Sequence, residues 1–219
     1  MSRDEWYRRS TWTTEDEQEF RARLKRARSF SRPQYLRLQA IHLEQAGLLD
    51  EAIQLLEEVV REYAEDGQIA WVHDHLGSCH EKAGRIDEAI QELRLSIAAQ
   101  ERHPYVTSKA WLELGRISVE YGVPELFDEF LKLLEKHSQG QGGLAAEIHF
   151  PAERYLLSAV LALIYKARGD LARAREYAKV AVAAADLRHS GFRRHPTIGL
   201  VTDTTGGLFK SISVLAATG

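Results

Sequence analysis

The sequence predicts an all-α protein built from about four helical hairpins in series. Three observations carry that expectation. The block Ala46-Gly47-Leu48-Leu49-Asp50-Glu51-Ala52-Ile53 returns as Ala83-Gly84-Arg85-Ile86-Asp87-Glu88-Ala89-Ile90, six of eight residues matching at a spacing of 37 positions. Self-similarity at such a period is the mark of stacked supersecondary units. Apolar residues recur at spacings of 3 and 4 on both sides of each copy, the period of a helix with one buried face. The chain has five prolines and no asparagine, and asparagine is a residue of caps and turns rather than helix interiors.

The first element precedes the repeats. Thr14-Glu15-Asp16-Glu17 reads as a capping box, with Thr14 and Glu17 bonding reciprocally to free N–H groups. Acidic residues open this helix and Arg21, Arg23, Lys25, Arg26 and Arg28 follow, the order that complements a helix dipole. Phe20, Leu24 and Ala27 form its apolar stripe. Residues 1–32 are read as an N-terminal cap, because a terminal repeat exposes an apolar face that something must cover.

Each repeat is then anchored on a glycine that closes its first helix. Gly47 follows Leu36, Ala40 and Leu43 and precedes Ala52, Ile53, Leu56, Val59 and Val60, giving a repeat over 33–68. Gly84 follows Leu76 and Gly77 and precedes Ala89, Ile90, Leu93 and Ile97, giving 70–103. Gly122 follows Trp111, Leu114 and Gly115, giving 108–138, although Phe127 stands where the other repeats place a small alanine. Gly169 lies between Ala162 and Tyr165 on one side and Ala174, Ala178 and Ala181 on the other, giving 155–188. The anchor spacings are 37, 38 and 47. The long interval holds Gln139-Gly140-Gln141-Gly142-Gly143, read as a loop over 139–151 before Pro151 starts the next helix. Residues 189–219 form a C-terminal cap or tail, with Leu208–Ala217 as a short helix; the whole chain, 1–219, reads as one domain.

These hairpins resemble the tetratricopeptide repeat family over roughly 33–188, most closely in the glycine-to-alanine turns of repeats 1, 2 and 4 and in the Trp111-x-x-Leu114-Gly115 spacing of repeat 3. The resemblance implies a right-handed α-solenoid whose concave side is lined by the first helix of each repeat. It implies a non-catalytic scaffold or adaptor that binds a protein segment in that groove. Carried onto this chain, the family's groove positions are Arg37, Ile41 and Glu44; Trp71, Asp74, Ser78 and Glu81; Lys109, Leu112 and Arg116; and Ala159, Leu163 and Lys166. The groove would be acidic in the middle, basic at the flanks and apolar toward its end. Leu112 and Leu163 suit a partner helix laid against that end. Repeat domains that clamp chaperone tails use groove lysine and asparagine; this chain has Ile41, Ser78 and Arg116 at the mapped positions and no asparagine, which argues against that subtype. The opening Trp6-Tyr7-Arg8, the motifs Arg26-Ala27-Arg28 and Tyr35-Leu36-Arg37, and the 189–196 ending are also similar to a group of bacterial repeat proteins that carries no assigned activity.

Other chemistry is weakly signalled. His73, Asp74, His75, Cys79 and His80 cluster in sequence, but in the helical register His73 and His80 share one face and His75 and Cys79 another. No second cysteine or carboxylate completes either set, so the histidines are read as packing residues and no metal or cofactor is expected. There is no serine elbow, no phosphate-binding glycine loop and no catalytic constellation. The segment His189-Ser190-Gly191-Phe192-Arg193-Arg194-His195-Pro196 has two readings: a helix end closed by Gly191, or an anion-binding corner formed by His189, Arg193, Arg194 and His195. With the seven cations between Arg21 and Arg37, that corner defines the alternative function, a nucleic-acid or anionic-ligand sensor. Net charge of −3 supplies no global attraction to nucleic acid, which is not the expected partner. One cysteine excludes an intrachain disulfide, no apolar signal core opens the chain, and no segment is long enough to span a membrane; the expected location is the cytoplasm. The oligomeric state is left open.

Overall fold

The computed structural model describes residues 6–103, 105–140, 143–146 and 148–218, and of Ala145 and Ala146 the backbone only. Among them every regular element is helical and no strand occurs. The chain forms two compact units, Met1–Ala110 and Trp111–Gly219.

In the first unit, α1 (Thr14–Arg26) and a 3₁₀ turn (Ser29–Ser31) lead into two hairpins, α2 (Arg32–Gln45) with α3 (Leu49–Glu62), and α4 (Ile69–Lys82) with α5 (Ile86–Arg102). Helix α6 (Ala110–Glu120) starts on the last residue of the first unit, and the second unit continues through a 3₁₀ turn (Pro124–Leu126), α7 (Phe127–Gln139), a 3₁₀ turn (Gly143–Ala146), α8 (Pro151–Ala167), α9 (Leu171–Ala185) and α10 (Gly207–Ala217). Gln141 and Gly142 of the glycine-rich stretch lie outside the described residues.

The four anchor glycines set this order. Gly47, Gly84, Gly122 and Gly169 have φ of 80°, 75°, 68° and 80°, the left-handed region open to glycine at low cost. Behind each, the next residue's N–H reaches back five positions: Leu48 to the Leu43 carbonyl at 2.9 Å, Arg85 to His80 at 2.9 Å, Val123 to Ser118 at 2.9 Å and Asp170 to Tyr165 at 2.9 Å. That is a Schellman closure, which satisfies carbonyls the helix end would otherwise leave bare. Ala52, Ala89 and Ala174 then sit fully buried at the start of the second helices. In the third hairpin the 3₁₀ turn intervenes, Leu126 takes the buried position (3% exposed), and Phe127 stays half-buried. Three residues per turn instead of 3.6 rotate the following side chains to new faces.

Small residues admit large ones across each hairpin. A Cβ on Gly77 of α4 would lie 3.1 Å from the Leu93 side chain of α5; one on Gly115 of α6 would lie 2.5 Å from the Phe130 ring of α7. Trp111 stacks on Phe130 (6.0 Å, 17°) and on His137 (4.7 Å, 22°), extending this packing along α7.

Phe20 and Leu24 of α1 join the core of the first unit with Leu36, Ala40 and Leu43. The segment before α1 is held by Gln39, a fully buried amide that accepts from the Arg9 N–H (3.0 Å) and donates to the Arg9 carbonyl (2.8 Å). Trp6 and Tyr7 pack on Tyr35, at 4.9 and 4.8 Å between ring centres. The cap of α1 is Thr13, not Thr14: Thr13 Oγ1 accepts from the Asp16 N–H, and Asp16 accepts from the Thr13 N–H. Both frames satisfy the capping pattern. Asp16 decides between them, because it also accepts from Thr11 Oγ1 and pairs with Arg9, while Glu17 turns to Arg21.

In the second unit, α8 packs on α9 and α10 on both. Ile212 and Leu215 of α10 enter a core made by Tyr155, Ala159, Ala162 and the alanines of α9. The tail is therefore seated on the last hairpin. Helix α9 ends at Ala185, with Asp186 as its cap, so Gly191 (φ 91°) is a turn residue of the following loop and does not close the helix. No helix among the described residues is long and apolar enough to cross a membrane.

Candidate functional site

Helices α2 and α4 are the first helices of consecutive hairpins and lie against one another. Arg37, Ile41 and Glu44 follow one face of α2 at spacings of 4 and 3; Trp71, Asp74 and Ser78 do the same on α4. The structure brings these residues into two clusters.

The first cluster joins Arg37 to Trp71. The guanidinium carbon lies 5.3 Å from the Trp71 ring centre, and Arg37 Nε donates to Gln68 Oε1 at 3.2 Å. Trp71 remains 37% exposed while its indole N–H donates to the Thr107 carbonyl at 3.0 Å. That bond fixes the ring plane and leaves the other surface to solvent. Burial lowers the pKa of Arg37 and nearby Asp66 opposes the shift. An arginine remains a cation under such a shift. The result is a fixed positive fork beside an indole, two residue types enriched at the energetic centres of protein interfaces.

The second cluster is built on Glu44. Its carboxylate accepts from His75 Nε2 at 2.8 Å, Ser78 Oγ at 2.7 Å and Lys82 Nζ at 2.9 Å. Burial pushes its pKa up, but the hydrogen bonds from His75, Ser78 and Lys82 outweigh it and bring the value down to about 2. The acidic centre expected from Glu44 is thus compensated within the protein. Sequence spacing identified Glu44 and Ser78 but not His75, Lys82 or Gln68, whose roles depend on which helix α4 faces. Ile41, Asp74, Glu81 and Lys109 are partly buried.

The remaining mapped positions differ. Leu112 is 1% exposed and flanked by Trp111 at 1% and Leu114 at 0%. Helix α6 is apolar on most of its circumference, so Leu112 is core and offers no groove surface, contrary to expectation. Ala159 is likewise fully buried. Arg116 donates from Nε to Glu113 at 2.6 Å and pairs with Glu120, so its fork is occupied by carboxylates of its own helix. Leu163 packs against the second unit's core and Lys166 is exposed.

His189, Arg193, Arg194 and His195 are all exposed on the loop after α9. That loop is closed by Ser190 N–H to the Pro196 carbonyl (2.8 Å), Ser190 Oγ to the His195 carbonyl (2.8 Å) and His195 N–H to the Phe192 carbonyl (3.0 Å). His189 Nδ1 accepts from the Gly191 N–H at 2.9 Å. In the N-terminal basic run, Arg21 pairs with Glu17 and Glu58, Arg23 with Glu19, and Arg32 donates to the Ala27 and Lys25 carbonyls.

The histidine–cysteine segment divides as its register requires. His73 turns to α5 and bonds Glu92 at 2.7 Å, and His80 is 8% exposed. His75 and Cys79 turn the other way, to α2. There Glu44 of α2 supplies a carboxylate on their own face. One ligand atom from each of Glu44, His75 and Cys79 lies within 4.8 Å of the others.

Residues 43–118 match the family model described as tetratricopeptide repeat. The matched stretch runs from the end of α2 to near the end of α6 and takes in Glu44, Trp71, Asp74 and Ser78. No curated protein and no solved structure matches the chain.

Proposed function

Because this chain is a tetratricopeptide repeat protein, and such repeats generally mediate protein–protein interactions, we propose that it is a non-catalytic adaptor that binds a partner segment on the α2–α4 face. The observation that carries the reading is the Arg37–Trp71 pair. Trp71 offers a rigid, part-exposed apolar surface and Arg37 a positioned cation beside it. A partner segment with an apolar side chain next to a carboxylate matches that arrangement: the first displaces water from the indole, the second takes the guanidinium. Ile41, Asp74 and Ser78 would extend the contact along the same helices, and Lys109 would add to it from the segment before α6. Arg116 and Leu163 stand as further binding positions in the second unit.

The alternative, a nucleic-acid or anionic-ligand sensor, draws support from exposed Arg193 and Arg194. The engagement of Arg21, Arg23 and Arg32 within the protein weighs against the basic N-terminal face. Affinity capture with the wild type and with Arg37→Glu separates the readings. The adaptor reading predicts a specific protein retained by the wild type at ordinary salt and lost by Arg37→Glu, with the fold intact by circular dichroism. Retention by the variant contradicts the α2–α4 assignment. Capture of nucleic acid that falls steeply with salt favours the sensor.

A further inference from the structure

We propose that Glu44, His75 and Cys79 form a binding site for a divalent transition-metal ion of zinc type, which ties the first helices of two consecutive hairpins together. Three observations converge on it. The groups are chemically matched: a carboxylate, an imidazole and a thiol are the donors zinc takes, and the sulfur excludes calcium and magnesium. They are placed together, with one donor atom of each within 4.8 Å of the others. His75 and Cys79 stand one turn apart on α4, the spacing that puts two side chains on the same helix face, and Glu44 meets them from the last turn of α2. Zinc bonds of about 2.0–2.3 Å place tetrahedral donors roughly 3.5 Å apart, so side-chain rotations of about 1 Å close the site.

The third observation is an unused polar atom. His75 donates from Nε2 to Glu44, and its Nδ1 is buried with no hydrogen-bond partner. The His75 side chain is only 10% exposed. A hydrogen bond to Glu44 alone leaves half of this imidazole's capacity unmet, at a desolvation cost. A metal ion changes that arrangement: one ring nitrogen gives its lone pair to the ion and the ring proton resides on the other. Cys79 binds as thiolate and its proton passes to solvent, so each ion bound releases one proton from the thiol. The ion takes the place now held by the Lys82 ammonium on Glu44, and Lys82, with a side chain 55% exposed, swings outward. The fourth position falls to water or to the Ser78 hydroxyl, which already lies 2.7 Å from Glu44.

The site goes beyond the adaptor reading and does not depend on it, since it is tested without a partner. The experiment is a cobalt(II) titration of chelator-stripped full-length protein, followed by zinc(II) competition. The expected result is a thiolate-to-cobalt charge-transfer band in the near ultraviolet, saturating at one equivalent and bleached by zinc. Cys79→Ser abolishes the band, Glu44→Gln weakens cobalt affinity by at least tenfold, the loss that even an outer-shell partner causes, and Lys82→Met strengthens it by removing the competing ammonium. Circular dichroism establishes that each variant is folded; should buried Cys79→Ser fail to fold, Glu44→Gln and Lys82→Met carry the test. Absence of the band in folded wild type overturns the proposal. So do a band that persists in folded Cys79→Ser and affinities unchanged in Glu44→Gln or Lys82→Met.

Discussion

The Arg37 guanidinium carbon lies 5.3 Å from the centre of the Trp71 ring, joining α2 of the first hairpin to α4 of the second. A cation over a part-exposed indole contributes about 0.5–1 kcal/mol. A double-mutant cycle of Arg37→Ala and Trp71→Ala, read by urea unfolding, is expected to show coupling of that size. Additive effects would mean the two side chains are neighbours without interaction.

The Gly115–Phe130 contact predicts a damaging glycine substitution inside a helix. A Cβ at 115 meets the ring at 2.5 Å, and overpacking of this kind costs about 1–3 kcal/mol. Gly47→Ala meets nothing within 4 Å and suffers only its φ of 80°, about 1 kcal/mol for a left-handed residue. Thermal unfolding should rank Gly115→Ala below Gly47→Ala, with Phe130→Leu partly restoring the former. The reverse ranking would contradict the packing described.

Gln39 is the clamp on the N-terminal segment. Gln39→Ala removes both bonds to the Arg9 backbone and leaves a buried N–H and carbonyl unpaired, at about 1–3 kcal/mol each. The expected signature is local as well as global: residues 6–12 become sensitive to limited proteolysis before the hairpins unfold. Unchanged protease resistance would mean that the aromatic contacts of Trp6 and Tyr7 suffice.

Glu44 predicts a pH dependence in the metal-free protein. Its folded pKa, about 2, is below the ordinary value of 4.5, so the carboxylate stabilises the fold above pH ~4.5 and that stability is lost as pH falls toward 2. Wild type should exceed Glu44→Gln in stability at neutral pH, and the gap should close between those limits. A constant gap would show that the difference comes from packing.

The hairpin architecture was legible because one rule repeats. Gly47, Gly84, Gly122 and Gly169 each mark a left-handed closure, and a turn that only glycine adopts cheaply leaves a direct trace in sequence. Where two residues obey the same local rule, as Thr13 and Thr14 do, tertiary partners such as Arg9 decide, and spacing cannot. Leu112 departs from the family pattern for a related reason: a groove position there is buried here because its helix is apolar on most of its circumference. The Glu44–His75–Cys79 cluster is not legible in the sequence because its carboxylate stands on another helix, 31 residues before His75.

The central claim is that the α2–α4 face holds a protein partner. Site-specific photo-crosslinking tests it most directly, with a benzophenone side chain at position 71 and, as control, at the exposed position Glu57 of α3. The account predicts that the probe at 71 captures one protein, that the probe at 57 does not, and that Arg37→Glu abolishes the adduct. Equal capture from both positions, or adducts to nucleic acid alone, would contradict it.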